Sequence, residues 1–140
     1  MSRAAVFVDT SALYALFATS DGNHKRAKAT LAHLRGERVS LLTSSAVLAE
    51  SYVLVHARTG QRGLLRFRHG VGGSSWLRSV GVSRAWDEAA WQLLARQQDK
   101  DYSYVDATSF VLMRALEITR AFSFDEHFRQ AGFEMLSGGR

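Results

Sequence analysis

The sequence predicts an α/β fold: a central, mostly parallel sheet with helices layered on both faces. Three observations predict it. Short apolar runs of strand length alternate with longer stretches of helical periodicity. Two of those runs, Ala4–Val8 and Ala121–Phe124, end directly on an aspartate, and open α/β sheets place their sites beyond the carboxyl ends of their strands. The chain has 140 residues, a length that suits one domain burying roughly two-thirds of the surface its unfolded chain exposes.

The elements follow in order. Ala4–Val8 (AAVFV) is the first strand. Asp9-Thr10-Ser11 offers oxygens able to cap a helix, and Ala12–Phe17 reads as a short one. Asp21-Gly22-Asn23 makes a turn. His24–Arg35 is helical, with Ala27, Leu31 and Leu34 on one face and Lys25, Arg26 and Lys28 elsewhere; Gly36 is its expected stop. Val39–Thr43 is a second strand. Ser44 or Ser45 caps a long helix to about Arg58, which Gly60 ends, and Gln61–Gly70 is a further, Arg-rich helix. Gly72–Ser75 is a loop before a third strand within Leu77–Val82. Arg84–Gln98 is amphipathic, since Trp86, Ala90, Leu93 and Leu94 share a face. A polar break at Asp99–Asp101 leads to a helix over Ser103–Leu116, a strand over Ala121–Phe124 and a last strand over Phe133–Leu136. No repeat, low-complexity tract or linker interrupts this, so residues 1–140 read as a single domain, with Ser137–Arg140 a frayed tail.

Composition excludes several chemistries. The chain has no Cys, so disulfides, thiolate zinc sites, iron–sulfur clusters and cysteine nucleophiles are ruled out. It has no Pro, so no native cis-proline slows folding. The apolar start of MSRAAVFVDTSAL is cut short by Asp9, unlike a signal peptide, and no window approaches the roughly 18 apolar residues of a membrane span. A soluble, cytoplasmic protein is expected. The net charge is +5; with four acids set aside as a site, 18 Lys and Arg face nine remaining acids. A basic surface around a small acidic centre suits a polyanion brought to a metal, while mild basicity also serves solubility alone.

Those four acids are Asp9, Glu50, Asp106 and Asp125. Asp9 and Asp125 each follow a strand, and each could equally cap the next helix; Ser123 with Glu126 resembles a capping box. Glu50 has Ala46, Val47, Val53 and Leu54 as its helical neighbours, so its carboxylate lies along an apolar face. A buried carboxylate there needs a metal, or else an Arg partner. Asp106 lies in Ser103-Tyr104-Val105-Asp106, itself a possible capping box, with Ser109 and Phe110 one turn further on.

Order, spacing and context of the four together are more specific than any one. FVDTSAL at 7–13, LAES at 48–51, YSYVDATSF at 102–110 and FSFDEHF at 122–128 resemble the motifs of PIN-domain ribonucleases, and among them those of VapC toxins of bacterial toxin–antitoxin pairs. The resemblance covers nearly the whole chain and implies a PIN-like three-layer α/β/α fold. By it, Asp9, Glu50, Asp106 and Asp125 match the family's acidic quartet and Ser11 its hydroxyl after the first Asp. Ser123 stands where many members have Thr and keeps the hydroxyl. Gln61–Arg84 carries no family motif.

Four ionised carboxylates cannot crowd together without a counter-cation, and Mg²⁺ or Mn²⁺ prefers such oxygen ligands. Asp9 and Asp106 are the expected direct ligands. Asp125 would bind a second ion or reach the first through water, and Glu50 would ligate or orient the attacking water. Ser11, Ser109 and Ser123 are expected to hold the carboxylates in place. The five histidines form no close metal pair, and His127 is expected to pack or cap. Arg58, Arg62 and Arg66, at four-residue spacing with Phe67 and His69 interleaved, form a candidate phosphate-tracking face with an aromatic for stacking, or a merely solvated one.

The resulting expectation is a Mg²⁺- or Mn²⁺-dependent endoribonuclease, the toxin of a toxin–antitoxin pair, with a cognate antitoxin, an RNA substrate and a homodimeric state. Its rivals are a PIN ribonuclease of RNA processing or decay without an antitoxin, and an inactive RNA-binding or scaffold module. A phosphatase of the D-x-D type fits poorly, because Ser11 stands at the second Asp position.

Overall fold

A computed structural model describes residues 4–73 and 75–137. Ser74 of the expected loop and residues 138–140 of the expected tail lie outside the described residues. The sheet has five strands: β1 (Ala5–Val8), β2 (Ser40–Ser44), β3 (Arg78–Val80), β4 (Arg120–Phe122) and β5 (Glu134–Leu136). They run β3-β2-β1-β4-β5, and every pairing is parallel. Val6, Phe7 and Val8 are all fully buried. Successive strand residues point to opposite faces, so helices must cover the sheet on both sides, as the three-layer expectation requires.

Among the described residues six helices do this: α1 (Thr10–Phe17), α2 (His24–Glu37), α3 (Ser45–Val71), α4 (Arg84–Arg96), α5 (Tyr104–Ala115) and the short α6 (His127–Gln130). α2 runs one residue past the Gly36 expected to stop it. Arg38, in left-handed conformation at φ 59°, makes the reversal instead. The expected Gly60 boundary is present as a break within α3, where φ 76° and ψ −173° leave helical space. Only glycine takes that conformation without strain. The polar break after α4 contains a turn of 3₁₀ helix, Gln98–Lys100. α6 had no counterpart in the sequence reading, because one turn of helix is too short to display a period.

The chain passes from β1 to β2 on one side, yet β4 pairs on the other side of β1. The topological switch point therefore lies between β1 and β4, and a crevice opens beyond their carboxyl ends. Phe7, Phe110, Phe122 and Phe128 are fully buried beneath it, with Phe110 and Phe128 in edge-to-face contact at 5.0 Å. This gives the crevice a rigid floor.

Candidate active site

Asp9 leaves β1 at the switch point and is 5% exposed. It occupies the N-cap position of α1 but makes no side-chain cap bond. Its Oδ2 instead accepts hydrogen bonds from Ser11 Oγ and Ser123 Oγ, each at 3.1 Å. The two hydroxyls lie 3.3 Å apart. Ser11 Oγ also accepts from Phe124 N, and Ser123 Oγ from Asp125 N. These serines thus tie the end of β1 to the end of β4. Ser123 does not form the capping box with Glu126 that its spacing allowed, since α6 has no side-chain cap.

Burial pushes the Asp9 carboxyl up to about 7, and the nearby Asp106 charge adds to it; the Thr10 amide and the two serines oppose the rise. A carboxyl so placed gains from any cation that replaces its lost hydration.

Asp106 realises the capping role its sequence context allowed, and its carboxylate also lines the cleft. It completes the capping box of α5: Ser103 Oγ accepts from Asp106 N, and Asp106 Oδ2 accepts from Ser103 N, both at 3.0 Å. The same Oδ2 lies 2.8 Å from His127 Nδ1. Asp125 Oδ1 accepts from His127 N at 3.0 Å and lies 3.5 Å from His127 Nδ1. Glu50, from α3, meets Thr10 Oγ1, which donates to its Oε1 at 2.5 Å. The Arg partner considered for Glu50 is absent among the described residues. Among the described residues, no Lys or Arg pairs with any of the four acids.

The four acids line one cleft of about 360 Å³, together with Thr10, Ser11, Leu54, Asp101, Ser103 and His127. They come from the ends of β1 and β4 and from α3 and α5. A cleft of clustered oxygen donors, with no Lys or Arg among the described residues paired to its acids, fits a divalent metal ion. Ligand atoms of Asp106, Asp125 and His127 lie within 4.8 Å of one another.

Other expectations did not hold. Ser109 does not reach the carboxylates: its hydroxyl donates to Val105 O at 2.9 Å on its own helix. His127 is not merely a packing or capping residue, because its ring nitrogen faces two acids. Phe67 offers no stacking surface. It is 2% exposed and packs edge-on against Phe17 and Tyr52. The break at Gly60 separates Arg58 from Arg62 and Arg66, so the three do not share one continuous helical face. Arg58 lies over the Tyr14 ring at 5.0 Å and Arg66 over Phe17 at 5.9 Å. None of the three lines the acidic cleft. Thr10, Asp101 and Ser103 are cleft residues the sequence reading did not propose as such. The Ser103 capping box and the left-handed Asp101 (φ 59°) position the start of α5.

Comparison with known proteins agrees with this architecture. The PIN-domain family model matches residues 6–134, so the chain belongs to the PIN-domain family. Its kin within that family are VapC toxins. It is 37% identical over 128 residues to the 23S rRNA-specific endonuclease VapC20 of Mycobacterium tuberculosis, covering 91% of this chain and 95% of that one. The crystal structure of that VapC20, described as a sarcin–ricin loop cleaving toxin, superposes with a TM-score of 0.81 at 36% identity over 91% of this chain and 95% of that chain. FitAcB from Neisseria gonorrhoeae superposes with a TM-score of 0.70 over 94% of this chain and 96% of that one. At 15% identity it speaks for the fold alone.

Proposed function

We propose that this chain is a metal-dependent endoribonuclease, the toxin of a toxin–antitoxin pair, acting in the cytoplasm on structured RNA. The observation that carries the reading is the convergence of four carboxylates from four separate elements on one cleft that no Lys or Arg among the described residues neutralises. A bound Mg²⁺ or Mn²⁺ would polarise the scissile phosphodiester and lower the cost of making a nucleophile from water. Asp9 and Asp106 would hold the ion, and Asp125 would bind it too or carry a second. Glu50, oriented by Thr10, accepts a proton from the attacking water, whose oxygen bonds to phosphorus as the P–O bond to the leaving nucleotide breaks. Ser11 and Ser123 keep Asp9 in one orientation, so that little reorganisation is left for the reaction itself.

The likeness to a 23S rRNA-specific endonuclease makes large-subunit ribosomal RNA the first substrate to try. An apolar groove between α1 and the second half of α3, lined by Leu13, Leu16, Phe17, Phe67 and Trp76, is of a kind that takes a partner helix. It supports an antitoxin as ligand, and the toxin is read as a homodimer. Arg58, Arg62 and Arg66 are read as contacts to RNA outside the cleft, with Arg62 exposed and free of an aromatic partner among the described residues.

The test is incubation of pure protein with intact ribosomes, naked 23S rRNA and unrelated structured RNAs, in Mg²⁺, Mn²⁺ or EDTA. Cleavage at a discrete site that EDTA and Asp9→Asn both abolish is the expected result. Cleavage that persists in EDTA overturns the mechanism. Expression in a bacterium should arrest growth unless Asp9 is replaced or a cognate antitoxin is co-expressed. Harmless expression of an RNA-cutting protein would favour the processing nuclease instead.

A further inference from the structure

His127 is the one histidine among the described residues that lines the acidic cleft. Its Nδ1 faces inward, 2.8 Å from Asp106 Oδ2 and 3.5 Å from Asp125 Oδ1. Two contacts fix that direction. The backbone N–H of His127 is held by Asp125 Oδ1, and the imidazole stands edge-on to the Tyr102 ring at 5.3 Å and 79°. The Asp125 carboxylate and the ring nitrogen are therefore held together at the start of α6, with the Asp106 carboxylate facing them from α5. Their donor atoms all lie within 4.8 Å of one another. A small octahedral ion holds opposite ligands about 4.2 Å apart, given bond lengths of roughly 2.1 Å, so slight contraction lets all three meet one ion.

We infer that His127 is a nitrogen ligand of the ion in this cleft and that it biases the site toward a first-row transition-metal ion over Mg²⁺. The inference rests on the metal-dependent reading above. Its physical basis is ligand chemistry. Mg²⁺ takes oxygen ligands, sheds water reluctantly and demands near-ideal geometry, whereas imidazole suits Zn²⁺, Fe²⁺ and Ni²⁺; Mn²⁺ shares the oxygen preference of Mg²⁺ but, as a transition ion, tolerates a nitrogen donor better. One nitrogen among carboxylates costs Mg²⁺ a preferred donor and gives the transition ion a good one. A purely orienting role for His127, as a hydrogen-bond donor to Asp106, would leave the ion with oxygen ligands alone.

Mn²⁺ is the probe, because it is paramagnetic and reports bound nitrogen directly. Its binding is followed by electron paramagnetic resonance, with Mg²⁺ as competitor, and ¹⁴N coupling is read by electron spin-echo modulation. The full-length protein should show nitrogen coupling on bound Mn²⁺. His127→Phe keeps a ring against Tyr102 but has no nitrogen, and His127→Asp supplies oxygen instead. Both should lose the coupling, and the Mn²⁺-over-Mg²⁺ preference should fall by about tenfold, within the range that changes around a metal site produce. In His127→Asp, Mg²⁺ should still bind, which keeps the comparison alive if the Phe variant does not fold. Bound Mn²⁺ without nitrogen coupling in the unaltered protein overturns the inference, as does an unchanged ion preference in His127→Asp. The two failures are separable: if Mn²⁺ binds, is lost in Asp106→Asn and shows no nitrogen, only the role of His127 falls. If neither ion binds the unaltered protein, the metal-dependent reading falls with it.

Discussion

Asp9 and Asp106 both stand at the start of a helix and face the same cleft, yet they are held in opposite ways. Asp106 is part of the local structure of its helix, completing the capping box with Ser103. Asp9 does nothing for α1 as a side-chain cap. It is buried and gripped by two hydroxyls, one from its own helix and one from the end of a strand 114 residues away. The difference teaches that a position in a helix does not say what a carboxylate is for. Asp106 stabilises the fold whether or not a metal is bound. Asp9 strains the fold when ionised and is repaid only by a cation.

The strongest test of this contrast is where the two should agree. Asp9→Asn and Asp106→Asn should each lower RNA cleavage by more than about a hundredfold, the upper end of the losses seen when outer partners of a metal ligand are removed. Near-normal cleavage in either variant would remove that residue from the metal site. The two should part in stability. The Asp9 carboxyl keeps its proton up to about pH 7 in the fold, against 3.8 when exposed. The metal-free protein is therefore stabilised by this group below about pH 4 and loses that contribution as pH rises through 7, on the order of 4 kcal/mol in all. Asp9→Asn removes the penalty, so at pH 8 in EDTA it should melt well above the parent, and the gap should close at pH 4. Asp106→Ala should not gain in this way: it loses the capping-box bond from Ser103 N, a cost of about 1 kcal/mol at pH 4, offset at pH 8 only by relief of its repulsion of Asp9. Equal shifts in the two variants would erase the distinction.

Metal should narrow the gap. Saturating Mn²⁺ at pH 8 should raise the melting temperature of the parent by several degrees, since a ligand a hundredfold above its dissociation constant adds about 2.7 kcal/mol. It should do little for Asp9→Asn. The smallest effect belongs to the arginines outside the cleft. Neutralising Arg58, Arg62 and Arg66 together should weaken RNA binding and reduce its salt slope by up to about 3, with Mn²⁺ affinity unchanged. An unchanged salt slope would make them a solvated surface. Arg58 and Arg66, already lying over Tyr14 and Phe17, should contribute less than Arg62.

Much of this was legible in the sequence, for identifiable reasons. AAVFV followed by Asp marks a strand end, and a parallel sheet puts strand ends at the site. AFSF marks one less closely: β4 stops at Phe122, so Ser123 and Phe124 lie between the strand and Asp125 rather than within it. Glu50 was visible as an acid among apolar helical neighbours. What the sequence hid was pairing across distance. Thr10 reads as one capping residue among several until the structure sets it 2.5 Å from Glu50, 40 positions on. His127 sits in a helix of four residues, too short for its facing to be read from periodicity. Ser109 shares a helix with Asp106 and was placed by proximity, but its hydroxyl was already taken by Val105 O. Phe67 looked available among arginines because the break at Gly60 resets the phase of the helix that follows it.

The strand order has a consequence for when this molecule becomes dangerous. β1 is made first, yet one of its edges belongs to β4, at Arg120–Phe122. Until that late segment leaves the ribosome, Ser123 cannot grip Asp9, and Asp125 and His127 are missing from the cleft. Pairings so distant in sequence form late, after the cost of closing the intervening loop has been met. A growing chain with the first three motifs already translated still lacks one wall of the cleft and the hydroxyl that grips Asp9.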